Sequence, residues 1–420
     1  MQRYGNLIII TLYLVAFSFQ YYGYFSYIMP NWDYLGYEWY PDSFKLAEAV
    51  LFVLLIAMLL PAHFQRPSDL LIHILFIFPV LPMLVLYAAA SVSAVYIYST
   101  IFSFFLILLL ILIPFKTDSI MMLSFNVQDL IRLFALSLII YITLIIASGG
   151  LKYLNFNIWK VYEFRSAASD ALPSICVYLS PLFGKVIVPF LLLLSLAFRN
   201  RGVALFAIAC GVLLFAFTGN KGPLFYPFIT LIVYSLYKRK KLGAYILVGG
   251  FCFLLVLSIS TSVTGTVGST MGTLFLRRTC FAPAKINIAY YDYFSDKKPI
   301  LWAESKLTMG LVDYPYDVPT TKLIGRHYYR DGMSANTGWP GTGYMQAGIP
   351  GLLFYAFIIG LILKTFDMFA QNKDASFVTG VAAVPILVIA TSSDIPTAMF
   401  THGLLFLFVF LSCFRLKNTF

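Results

Sequence analysis

The segment AVYIYSTIFSFFLILLLILIP, residues 94–114, decides the fold class. It has no charged residue and is continuously apolar. A run of this length spans a hydrocarbon core of about 30 Å as a helix. A barrel strand would alternate apolar and polar positions instead. Similar runs recur at 6–22, 46–61, 70–89, 129–148, 181–198, 202–218, 223–237, 242–262, 343–363, 376–393 and 397–414. The expected fold is therefore an all-α polytopic membrane protein with about 12 transmembrane helices. Composition agrees: the chain is 60% hydrophobic and only 11% charged, where soluble chains are roughly a quarter charged.

The net charge of +11 does not point to nucleic acid, because the basic residues are scattered between apolar runs. Short basic turns are the informative ones. Arg199-Asn-Arg201 and Lys238-Arg-Lys-Lys241 mark the cytoplasmic side, since short cytoplasmic loops collect Lys and Arg. This orientation predicts cytoplasmic N- and C-termini. Leu7 to Phe19 reads as a retained first span, since the aromatic FQYYGYFSY following it offers no cleavage site. The five cysteines show no CxxC spacing, so neither a disulfide framework nor a metal site is expected. The chain has no HExxH, DxD, Walker or GxSxG pattern. Neither a metal nor a cofactor is expected.

No linker or internal repeat divides the chain, so residues 1–420 read as a single membrane domain. Three extracytoplasmic segments have size: 23–45, 149–180 and 263–342. The first is rich in Tyr and Trp, which suits an interfacial belt. The third is the main external loop, predicted to be partly helical, and holds 9 of the 29 Lys and Arg residues.

Several residues in these segments are candidates for chemistry. Lys221 lies between Gly219 and Gly222, before Pro223. It reads either as an interfacial anchor or as a phosphate contact beside a helix N-terminus. Arg277 and Arg278 suit a phosphate or diphosphate. On a helix over 270–295, Arg278, Lys285 and Asp292 fall on one stripe. Tyr291 and Asp292 offer a stacking ring and a carboxylate for a sugar, or form part of an aromatic belt. Asp313 stands before Tyr314-Pro315-Tyr316. His327 is the only histidine in the main loop and a candidate general base. Arg326 and Arg330 flank it as an anion-binding pair. Asn336 sits in a turn-rich run where it either bonds a ligand or caps the next helix.

Together these segments resemble the Wzy-type O-antigen and capsule repeat-unit polymerases. The resemblance rests on TGNKGP at 218–223, RRTCFAPAKINIAYYDYFSD at 277–296 and DYPYDVPTTKLIGRHYYRDGMSANTGWPGTGYMQAGIPG at 313–351. It rests also on a layout of about twelve spans with one dominant late external loop. The loop resemblance covers about a quarter of the chain. It implies a GT-C-like membrane glycosyltransferase at the outer face of the bacterial inner membrane, working without metal. The implied substrates are undecaprenyl-diphosphate-linked oligosaccharides, and the implied partner is a Wzz-type chain-length regulator. On that plan Lys221, Arg277, Arg278, Arg326 and Arg330 meet diphosphate. Tyr291, Asp292 and Asn336 meet sugar, and His327, Asp313 and Glu163 are candidate bases. Lys221 stands where such enzymes often use arginine, which replaces a fork by a point charge. An O-antigen ligase shares the plan, while a flippase suits the span count but not the long loop.

Overall fold

The computed structural model describes residues 2–113, 125–158, 161, 165, 168, 170–264 and 268–414. Among these residues every regular element is helical. Eight helical stretches are long and apolar enough to cross a membrane, so the chain is a polytopic membrane protein in class. The predicted runs 46–61, 223–237 and 376–393 are the 17-residue helices Ser43–Leu59, Gly222–Lys238 and Ala375–Thr391. The run 397–414 is divided into Ile395–Met399 and Leu404–Ser412. The uncharged turn at 90–93 separates two helices: Ala90 is extended after Leu81–Ala89, and Ala94–Leu112 follows.

The chain divides into two compact units. The first comprises Met1–Phe115, Arg239–Lys364 and Ile386–Ile395; the second comprises Lys116–Lys238, Thr365–Pro385 and Pro396–Phe420.

In the first unit the helical stretch Pro67–Ala89 is mostly apolar and almost wholly buried, as expected for a helix at the centre of a bundle. Its one histidine, His73, is buried; Nδ1 shares a hydrogen bond with the Tyr13 hydroxyl at 2.6 Å, and Nε2 lies 2.9 Å from Pro61 O. The 23–45 segment continues the first helix through Trp32, turns at Gly36 (φ 76°) and runs extended. There the N–H groups of Tyr40 and Asp42 donate to Ala89 O and Ala88 O. Those carbonyls have no partner within their own helix end. Asp42 then caps Ser43–Leu59, accepting from the backbone of Phe44 and Lys45.

The helical stretch Trp339–Gln371 is not one rod. Ala347 (φ −155°) and Gly348 (φ 64°) break it. In a straight helix residues eight apart are about 12 Å apart. Here a Cβ on Gly351 would lie 2.3 Å from Gly343 O, so the chain folds back sharply. The break frees the carbonyls of Met345 and Gln346, which accept from the N–H groups of Ile300 and Leu301, each at 3.0 Å. It thereby provides the surface on which the 300–305 turn is seated.

In the second unit, Ser174–Ala197, Arg201–Thr218 and Gly222–Lys238 pack through small residues. A Cβ on Gly211 would lie 2.7 Å from Pro223 O. Tyr141 stacks on Phe183 with centroids 4.1 Å apart. Phe190 meets Phe134, Phe377 and Phe410 edge-on or tilted.

Candidate functional site

Residues 272–294 of the first unit carry the densest set of charged and aromatic groups. They form a π-helical stretch, Gly272–Phe281, that passes into the α-helix Ala282–Phe294. The register shows in the Ala282 N–H, which donates to Arg277 O five residues back. Pro283 has no N–H to give, and the widened turn accommodates it. A π-helix winds more slowly than an α-helix, so Arg277 rather than Arg278 comes round toward Lys285. The sevenfold stripe expected from sequence, Arg278–Lys285–Asp292, is therefore replaced by Arg277–Lys285–Asp292. Arg277 is half-buried, while Arg278 is exposed.

The segment before Ser43 faces this stripe. The Arg277 guanidinium lies over the Trp32 ring, 5.0 Å from its centroid. This cation–π contact fixes the plane of the fork. Tyr37 is buried close enough for the Arg277 charge to act on its hydroxyl. Lys285 reaches Gly36, where an added Cβ would lie 3.7 Å from Nζ. The carboxylates of Glu38 and Asp292 both act on the Lys285 ammonium, but burial outweighs them and pushes it below the usual lysine range. Burial likewise pushes the Asp292 carboxyl up, with Lys285 opposing. Both shifts favour the neutral form, for Lys285 at a half-buried position and for Asp292 at the exposed edge beside it.

Aromatic walls flank the stripe. Tyr291 stacks on Tyr96 at 4.5 Å and lies 4.8 Å from Tyr344. Its hydroxyl shares a hydrogen bond with Ser93 Oγ at 3.0 Å. Tyr291 is therefore a packing residue here, and Asp292 beside it faces outward. Buried Asn287 ties the helix to the next segment: Nδ2 donates to Pro283 O at 3.0 Å and Oδ1 accepts from the Gly341 N–H at 2.6 Å. A hydrogen bond from the Tyr290 hydroxyl to Ala335 O, at 3.0 Å, makes a second tie.

The helix Thr320–Tyr328 carries Arg326 and His327. Arg326 forks onto Asp317, with both contacts at 3.1 Å. The Arg326 guanidinium holds the Asp317 carboxyl below the usual carboxylate range. Arg326 is thus engaged by a carboxylate rather than left open for an anion. His327 is exposed, its ring edge-on to Tyr293 and Tyr328 at 5.3 and 4.7 Å. Arg330, Asp313 and Asn336 are also exposed. Lys221 belongs to the second unit, and Glu163 lies outside the described residues.

A hydrogen-bond chain supports the whole segment. Glu304 accepts from Thr320 N and Oγ1, both at 2.7 Å, and so caps the His327 helix. Glu304 follows Leu301 and Trp302, two residues at positive φ of 50° and 61°. Such backbone costs about 1–3 kcal/mol per residue and persists only where its surroundings hold it. Here the Trp302 N–H donates to Gln346 Oε1 at 2.6 Å, and Nε1 donates to the Tyr355 hydroxyl at 3.0 Å. Tyr355 and Gln346 in turn donate to the two oxygens of Asp394, at 2.5 and 3.3 Å. Sequence reasoning missed Asp394, although it is the only acid after residue 374. It missed Glu38 as well, which lies between Asp33 and Asp42 in the aromatic 23–45 segment. Comparisons with protein families, with curated proteins and with solved structures find no match to this chain.

Proposed function

We propose that the chain is a repeat-unit polymerase of the Wzy type, joining undecaprenyl-diphosphate-linked oligosaccharides at the outer face of the bacterial inner membrane. The observation that carries this reading is the Arg277–Lys285–Asp292 stripe set against Trp32, Tyr37 and Glu38. It combines cations oriented by aromatic rings with carboxylates suited to sugar hydroxyls. In the proposed reaction a hydroxyl oxygen of the acceptor repeat unit attacks the anomeric carbon of the donor chain. The bond to diphosphate breaks with inversion, its electron pair leaves on the diphosphate, and the acceptor proton passes to a base. Arg277 and Arg278 neutralise the leaving diphosphate, an electrostatic contribution of about 3–4 kcal/mol for a well-placed group. His327 and Asp313 are the candidate bases of the first unit, and Asp292 and Asn336 the candidate sugar contacts. A Wzz-type regulator is the proposed partner.

Purified protein given synthetic lipid-linked repeat units, without added metal, is expected to yield a ladder of longer products. Absence of any product longer than one unit would overturn the reading. The exposed histidine, His327, favours O-antigen ligase as the second reading. The two separate in a deletion strain: loss of a polymerase leaves one repeat on core, and loss of a ligase leaves unattached polymer on the lipid carrier.

A further inference from the structure

Three breaks in regular helix meet at one level of the second unit. The first is the π-turn Phe183–Ile187, midway along the 24-residue stretch Ser174–Ala197. The second is the hairpin around Gly219 (φ 64°) and Lys221, which leads into Pro223. The third is the turn at 400–403, which ends at Gly403 (φ 87°) before Leu404–Ser412. Close contacts set their common level. A Cβ on Gly184 would lie 2.8 Å from Pro223 Cγ, and one on Gly403 would lie 2.4 Å from Leu182 Cδ1 and 3.2 Å from Val186 Cγ2.

The π-turn carries Lys185 and the third break carries His402. Lys185 is half-buried within a spanning helix, and among the described residues no carboxylate pairs with it. Its charge reaches His402. The Nδ1 atom of His402 is buried and has no hydrogen-bond partner among the described residues. The His402 backbone N–H is already used, donating to Thr397 O at 2.9 Å. Among the described residues, the charge of Lys185 thus acts on an imidazole whose Nδ1 is buried without a hydrogen-bond partner, and a buried polar atom left unsatisfied is costly. Ionisable groups within spans occur mainly where they serve a pathway or a ligand. Irregular backbone at membrane depth likewise persists where it is enclosed by protein or lines a cavity. A π-turn at such a position is a recurrent device for turning a side chain into a site.

We infer that Lys185 and His402 bind a phosphate group at this level of the second unit. The ammonium supplies the charge, and the imidazole supplies an N–H donor from Nδ1. The inference stands apart from the polymerase reading, since neither residue takes part in it.

The test uses the purified full-length chain in detergent, with binding read by thermal shift and native mass spectrometry. One arm adds inorganic phosphate. A second adds micelles doped with dioleoyl phosphatidic acid, and a third adds dioleoylglycerol, which has the same tails without phosphate. Wild type is expected to bind at least one phosphate probe and not dioleoylglycerol. Binding of phosphatidic acid alone identifies a lipid headgroup as the source, whereas binding of both shows that free phosphate suffices. Lys185→Met and His402→Gln are each expected to weaken binding at least about tenfold, the scale of one lost charge-assisted contact, while Lys185→Arg retains it. The inference is overturned if wild type binds neither phosphate probe, or if dioleoylglycerol binds equally well. Unchanged affinity in Lys185→Met also overturns it; if that variant does not fold, unchanged affinity in His402→Gln does so.

Discussion

The buried amide oxygen of Asn287 accepts from the Gly341 N–H at 2.6 Å, joining the helix Ala282–Phe294 to the segment that begins at Trp339. The contact leaves no room for a side chain at 341, since a Cβ there would lie 2.8 Å from that oxygen. Asn287→Ala strands a buried N–H donor and is expected to destabilise the protein by about 1–3 kcal/mol. Gly341→Ala acts on the same contact from the other side, by about 1–3 kcal/mol of overpacking. Thermal unfolding in detergent checks both. Melting temperatures equal to wild type would show that the tie contributes nothing.

Asp394 has the opposite pH sense to an ordinary paired carboxylate. Burial pushes its carboxyl up to about 6, above the value in an unfolded chain. The folded state therefore holds this proton more tightly, and stability falls as pH rises through the interval between the two values. The full loss is present above the folded value and amounts to ~3 kcal/mol at 1.36 kcal/mol per unit. Wild type is expected to melt higher at pH 4.5 than at pH 7 with respect to this group. Asp394→Asn is expected to flatten that slope. An unchanged slope in the variant would remove Asp394 as its source.

The π-helical register makes the two adjacent arginines unequal. Arg277→Ala is expected to reduce polymer formation by about 10²–10³-fold, the range for loss of a charge-stabilising group. Arg278→Ala is expected to reduce it less, because Arg278 is exposed and off the stripe. Ladder length from lipid-linked repeat units measures both. Equal losses would show that the register does not select between them.

Arg326 is held by Asp317 through a two-pronged contact at the surface. Exposed pairs of this kind are screened by salt. Asp317→Ala is expected to leave the melting temperature unchanged and to increase tryptic cleavage after Arg326. The Arg326 guanidinium keeps Asp317 ionised below the usual carboxylate range, so the pair is retained as pH falls until that depressed value is passed. Cleavage at Arg326 equal to wild type would place control of that helix elsewhere.

A Cβ on Gly338 would lie 1.9 Å from Ala390 O, a backbone atom that cannot swing aside. Gly338→Ala is therefore expected to cost at least about 1–3 kcal/mol. Expression yield and melting temperature check it, with Gly249→Ala as control, since nothing lies within 4 Å of a Cβ there.

The apolar runs were legible because burial in hydrocarbon leaves its mark on every residue of a helix. Residues 94–114 needed no neighbour to declare themselves, and the helix Ala94–Leu112 follows them closely. The uncharged turn at 90–93 was legible too. The twelve-span count was less so: a run such as 397–414 is mostly apolar, yet its chain turns at Gly403, and composition does not record backbone direction. The cations of the 277–292 stripe were visible as a cluster, but which arginine faces Lys285 was not. That depends on a π-helical register, which no side-chain pattern announces.

The sequence alone therefore determined the membrane class, the helical content and where along the chain the charged segments lie, because these follow from local composition and period. Tertiary structure decided which charges meet. Trp32 reaches Arg277, Glu38 acts on Lys285, and Asp394 steadies Trp302 through Tyr355 and Gln346. These partners are far apart in the chain, and their meeting depends on where the helices turn and cross.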